Sequence, residues 1–429
     1  MLALAAACAG STPRAATPDD IDDPAARASA LAPALEGYRA DFILSWNGAR
    51  IGEARERFTA DGNSGWRFER NERTVVRREG ATATARTEIV VDVDLTLTAR
   101  RVRVVRWMGA TRSESEAVRL LDDSWRVTQG GGSRIVDGAA VPSTLVPLLL
   151  AGGSAGREWA APVLVEGAGL ARANLSVSIP PGGGRADSEL ATPVGRLRGT
   201  AWLDADGFVT RVGEVRGLSS RRVEAAELDA PFDPPELVDS SAVPVTGAAG
   251  SLPAVRIDGL AAAPQMLAEL PRQEIARRGT SVDIRLAPIS RAALPAELAE
   301  LTHSVSRALA NDTGLAALSS EEALATGRGD CTAHAVVLLR RLTERGWEGR
   351  LVTGFVLADG ALRRHRWVLV RVGGEWIPLD PTRDEAPAST PRLALAVHGA
   401  DLDQLAFVDD VAFDGWSAAR AQALRAWRE

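Results

Sequence analysis

The sequence predicts an α+β protein: an antiparallel β domain, then a domain in which helices lead into a short run of strands. Three observations carry this. From Tyr38 to Leu228, apolar and polar residues alternate at period 2, broken by Asn47-Gly48, Asp61-Gly62 and Asp206-Gly207, all hairpin signals. From Pro295 to Gly346 the apolar period lengthens to that of helices. From Arg350 to Thr382 it shortens again, with turns at Asp359-Gly360 and Gly373-Gly374.

In chain order, "MLALAAACAGSTP" is a small-residue apolar run that reaches Ala-Ala-Cys and then a polar stretch. It resembles the end of a bacterial lipoprotein signal, clipped at its start, which would make Cys8 the lipidated residue. The expected location is then the cell envelope, facing the periplasm, with the membrane reached only through acyl chains at Cys8. If the leader is not a signal, the location is cytoplasmic. Residues 1–34 are read as leader and tether, rich in Ala, Pro and Asp. Residues 35–235 are read as the β domain, an antiparallel sheet or open barrel, with "PSTLVPLLLAGG" (142–153) as its one helical interruption. Residues 236–254, in a Pro/Ser/Gly-rich stretch, are read as a linker, and 255–429 as the second domain with its core at about 295–395.

In that second domain "AVRIDGL" and "TSVDIRL" look like strands. A helix follows with Leu298, Leu301, Val305 and Leu309 on one face. "SSEEALATG" carries a capping box from Ser319 to Glu322 and stops at Gly327. "CTAHAVVLLRRLTERG" is a helix closed by Gly346. Three strands come next, and residues 416–428 are expected to form a final helix.

Composition narrows the function. The chain has 429 residues, 45% hydrophobic and 25% charged, with a formal net charge of −6. That balance argues against nucleic acid as a partner. Every one of the 50 cationic side chains is arginine, so the protein cannot act as its own lysine donor in a cross-linking reaction. Two cysteines far apart make no disulfide framework, and four histidines with one cysteine in the body of the chain make no metal spacing. No cofactor is expected.

The informative stretch is "GRGDCTAHAVVLLRRL". Cys331 starts a helix, where unpaired N–H groups and the helix dipole favour a thiolate, the form a nucleophile needs. His365 sits mid-strand in "RRHRWVLV", and Asp380 ends the next strand across a two-glycine hairpin. A carboxylate there could reach the second ring nitrogen and fix the tautomer.

These boxes in this order resemble the transglutaminase-like superfamily of cysteine enzymes. The matching residues are Gly329, Asp330, Cys331, Thr332, His334 and Ala335; then Gly346, Arg350 and Gly354; then His365 and Trp367; and finally Trp376, Asp380, Pro381 and Thr382. The resemblance covers about 295–395. It implies a papain-like α+β core in which Cys331 is the nucleophile, His365 the base and acid, and Asp380 the orienting group. The implied function is thiol-dependent acyl transfer on protein or peptide amides through a Cys331 thioester. Resolution by water makes a peptidase or amidase; resolution by an amine makes a transglutaminase. The sequence departs from the family pattern at Arg366, where alanine is usual, and at "GWEGR". The backbone N–H of Cys331 is the default oxyanion donor. Asp330, Thr332, His334 and Trp367 are candidates for the cleft or its support. His303 and His398 are read as structural or exposed, and Trp347 and Trp376 as core. A non-catalytic envelope scaffold with a degenerate domain of this type is the alternative function.

Overall fold

A computed structural model describes residue 31 and residues 35–424, apart from 63–64, 79–80, 109–110, 152–155, 216, 237–240, 248–253, 261–272, 287–293, 313–319, 400–401, 415 and 417–418. The leader with Cys8 and the capping-box residue Ser319 lie outside the described residues. The chain separates into two compact units, Met1–Val76 with Thr82–Pro235, and Arg77–Ala81 with Glu236–Glu429.

The first unit is built on one 15-stranded sheet. Its strands pair with their sequence neighbours, and the sheet is carried through its middle by Arg39–Trp46 lying antiparallel to Leu218–Val223. Asn47 and Gly48 form the first hairpin turn, both at positive φ, as an Asn-Gly pair permits. Alternation is cleanest in Ala171–Ile179, where every second residue is buried. The interior is mainly apolar, around Phe42, Phe58, Phe68 and Trp125, but it holds charged groups, Glu166 bonded to Ser143 and Thr144 among them. Arg70 is buried between Glu56 and Glu72, donating to the Glu56 carboxylate and, at 2.6 Å, to Glu72. Tyr38 donates to Glu56 at 2.5 Å. The helical interruption is short: a 3-10 turn at Ser143–Leu145 running into Val146–Leu150.

The second unit contains a nine-stranded sheet. Its order is Gln273–Arg278, Ser281–Leu286, Ala254–Asp258, Arg420–Leu424, Val243–Thr246, Ala361–Val372, Gly349–Ala358 and Arg392–His398, with Glu375–Leu379 pairing Ala361–Val372 to the side. Helices Ala296–Ala308 and Cys331–Glu344 pack on part of it through Leu298, Leu301, Val305, Leu338, Leu342, Leu351, Val368 and Val370. No helix among the described residues is long and apolar enough to cross a membrane.

The predicted fold class is therefore corrected. The molecule is predominantly β, with two large sheets, and is not a balanced α+β chain with a papain-like half. Two segments of the second unit were misread. Residues 243–246, inside the expected linker, form a strand. The expected helix at 416–428 is replaced, in its described part, by a strand, Arg420–Leu424, that pairs antiparallel with Ala254–Asp258 and parallel with Val243–Thr246. Its Ala-rich sequence favours helix in isolation. Burying Ala421 between exposed Arg420 and Gln422 while completing two ladders outweighs that preference.

Candidate active site

Asp330 sets where the Cys331 helix begins. Its backbone is extended and its side chain accepts from the Ala333 N–H at 3.0 Å, a cap that satisfies one of the helix's orphan donors. Gly329 allows the chain to enter this tightly, since a Cβ there would lie 2.4 Å from the Ala333 methyl. Cys331 is then the first helical residue, partly exposed, with a backbone N–H that has no intrahelical acceptor.

His365 reaches the same place from the strand Ala361–Val372. The residue paired opposite it is Gly354, which lies between two strands. A Cβ on Gly354 would meet the Leu393 carbonyl oxygen at 2.0 Å. The close ladder beside His365 thus depends on glycine. The His365 ring is buried; Nε2 donates to Asp380 Oδ2 at 2.7 Å, and Cys331 lies close enough to the ring to help raise its pKa. With Nε2 committed to the carboxylate, Nδ1 is the nitrogen left for the sulfur.

Asp380 is fully buried and has a partner for each oxygen. Oδ1 accepts from the N–H groups of Thr382 and Arg383, at 3.1 and 3.3 Å. Oδ2 accepts from His365 and, at 2.5 Å, from Arg392. Arg392 also holds Glu385 at 3.1 Å. Burial alone would push the Asp380 carboxyl up; His365 and Arg392 overcome it and hold the group well below the usual carboxylate range. Burial likewise pulls His365 down, but Asp380 and Cys331 prevail and raise it to about 9. At neutral pH the imidazole is therefore positively charged.

The neighbouring residues have distinct positions. Thr332, next to Cys331 in the chain, is buried. His334 is turned into the helix packing, with Nδ1 2.9 Å from the Asp330 carbonyl oxygen and Nε2 3.1 Å from that of Leu309. Trp367 lies near-parallel to the His365 ring, centroids 6.3 Å apart, and packs with Val352, Leu369, Ala394 and Trp376. Trp347 packs against the helix core. His303 bonds Asp384 at 2.6 Å. His398 is buried, accepting from Thr353 at 3.1 Å through Nε2 and donating to the Gly399 carbonyl at 2.9 Å through Nδ1. Among the described residues no group of His, Cys, Asp and Glu is arranged to hold a metal.

Sequence reasoning missed Arg392 and Glu385. The only available signal was that a buried aspartate already facing histidine has an oxygen in need of a second cation, and nothing local identifies which arginine supplies it.

Comparison with known proteins bears on this region. Residues 296–381 match the family model for the transglutaminase-like superfamily core. No curated protein matches the chain. Among solved structures, a candidate cysteine protease from Cytophaga hutchinsonii aligns at 11% identity and TM-score 0.22, over 39% of this chain and 80% of its own. A β-barrel-like protein of a domain of unknown function from Brucella abortus aligns at 14% identity and TM-score 0.29, over 44% and 95%. Neither likeness is close enough to argue from. The family match, which spans Cys331, His365 and Asp380, stands without them: this chain carries a transglutaminase-like superfamily domain at residues 296–381.

Proposed function

We propose that this protein is a thiol-dependent acyl-transfer enzyme acting on protein or peptide amides. The supporting observation is the His365 ring, held by a buried, arginine-clamped Asp380 and near enough to Cys331 for the sulfur to help raise its pKa. In this reading the Cys331 thiolate attacks the amide carbonyl, and the oxyanion that develops is met by the Cys331 backbone N–H. The carbon–nitrogen bond breaks as His365 gives its Nδ1 proton to the leaving amine. A thioester remains. Water, deprotonated by the now neutral His365, resolves it to a carboxylic acid and regenerates the thiol. An amine could take the place of water; we favour hydrolysis. Asp380 keeps the ring in the required tautomer and stabilises its charged form.

The test is the pH dependence of iodoacetamide alkylation at Cys331, followed by mass spectrometry. Wild type is expected to react rapidly at pH 6, and His365→Ala to lose that reaction. A single titration near the free-thiol value of ~8.5, alike in both proteins, would overturn the proposal and favour a scaffold. Attachment to the envelope through Cys8 is a separate proposal resting on the leader; labelling with a palmitate analogue, absent in Cys8→Ala, tests it.

A further inference from the structure

Arg366 is one of the two places where the sequence leaves the family pattern, and it is buried, with 4% of its surface exposed. It stands on the strand face that also carries Val368 and Val370, the face on which the nucleophile helix packs. At the next position along that face, beneath the first turn of the helix, the strand presents a guanidinium where an apolar side chain would be expected. All three of its nitrogens are engaged. Nε donates to Thr353 Oγ1 at 3.0 Å, Nη1 to Thr332 Oγ1 at 3.2 Å, and Nη2 to Asp409. Thr353 is its in-register partner on the neighbouring strand. Thr332 follows the nucleophile directly. Asp409 belongs to the helix Leu402–Ala412. One side chain therefore ties together the strand bearing His365, the strand beside it, the first turn of the nucleophile helix and a further helix.

The charges around it make the arrangement more than packing. Asp330, the helix cap, is partly buried; desolvation pushes its carboxyl up, while the Ala333 N–H and then Arg366 oppose that rise. The other ionisable groups facing Arg366 are Asp409, half-exposed, and His398, which shares Thr353 with it. The charge of Arg366 pulls His398 down further than burial alone does, to about 4, so the imidazole is neutral and can accept from Thr353. Removing Arg366 would leave the Asp330 cap without its nearest cation and Thr332 and Thr353 each short of a donor.

We propose that Arg366 is a positioning residue: by clamping Thr332 and Asp409 beneath the first turn of the Cys331 helix, it sets the placement of the thiol against His365. This rests on the catalytic reading above and goes beyond it by naming what holds the pair together.

The experiment compares wild type, Arg366→Met, Arg366→Lys and Thr332→Val, each first confirmed as folded by circular dichroism. The readout is the ratio of Cys331 alkylation rates at pH 6 and pH 10. Arg366→Met keeps most of the stem volume and should lower that ratio at least tenfold, with the pH 10 rate near that of wild type. Arg366→Lys should not restore it, because a single ammonium cannot reproduce the fork that reaches three acceptors. Thr332→Val removes only the link to the helix and should lower the ratio severalfold, so it decides the matter if Arg366→Met does not fold. Wild-type ratios in every folded variant would overturn the inference while leaving the catalytic proposal standing. A wild-type protein with no fast reaction at pH 6 would overturn both.

Discussion

At the residue scale, the candidate triad is defined by who shares Asp380. Two cations converge on one carboxylate oxygen, and two backbone N–H groups hold the other. This makes Asp380→Asn more severe than the loss of one charge. The amide would present an N–H to one of its present donors, and His365 and Arg392 would be left facing each other in a buried space. We expect at least a tenfold slower alkylation of Cys331 at pH 6. We also expect destabilisation of about 3 kcal/mol, the order of magnitude for breaking a buried ion pair, measured by urea unfolding. An unchanged alkylation profile would show that Asp380 does not govern the His365 charge. The chemistry-bearing side chains were legible because a helix-start cysteine, a strand histidine and a strand-end aspartate each occupy a recognisable local setting. Arg392 was not: it meets Asp380 only after the chain has turned back through 381–391, and one arginine among 50 looks like any other in sequence.

At the scale of elements, glycines mark where backbones must approach. Gly354 lies between the strand of His365 and Arg392–His398, with no room for a Cβ against the Leu393 carbonyl. Gly354→Ala should force these strands apart beside the histidine. The expected outcome is a clear fall in melting temperature together with reduced alkylation at pH 6; a variant as stable as wild type would mean the ladder has slack that the geometry does not suggest. The helix start is a milder case. The Asp330 side chain supplies one cap bond, and caps of this kind are worth about 1 kcal/mol. Strands and helices here followed their periodicity where both faces of an element had settled environments. The end of the chain did not, since "RAQAL" suits a helix alone and a strand only when two neighbouring strands await it.

At the scale of the molecule, the buried charges set how stability depends on pH. In the second unit two histidines pull in opposite directions. His365 is raised from an ordinary 6.5 to about 9, so its contribution is complete below pH 6.5 and is lost as pH rises through 9. His398 is lowered from 6.5 to about 4, so its contribution is complete above pH 6.5 and is lost as pH falls towards 4. These two groups together place the stability maximum of this unit near neutrality, shifting to higher pH in His365→Ala; thermal melts across pH 4 to 10 would show it. The first unit holds a third case. Burial lifts Glu56 to about 7 against the opposition of Arg70 and Tyr38. Its folded value exceeds its ordinary 4.5, so the stability it contributes is present at low pH and declines as pH rises through 7. Arg70→Met strips the cation from between Glu56 and Glu72. The loss in melting temperature should be larger at pH 8 than at pH 5, where Glu56 can take up a proton; equal losses would mean that the arginine acts there through packing alone.

The sequence by itself determined several local events: where hairpins of the β meander turn, where the helix that begins at Cys331 starts and stops, and which thiol lies at its N-terminus. Each depends on a few adjacent residues, through φ preferences, caps and periodicity. Tertiary structure decided the rest. It joined scattered short strands into a nine-stranded sheet, which with the 15-stranded sheet of the first unit makes the chain predominantly β. It turned an alanine-rich terminus into a strand, and it chose Arg392 and Arg366 as the cations around the site. Those outcomes depend on partners far away in sequence, and a guanidinium's role is set by which carboxylate or hydroxyl the fold brings to it.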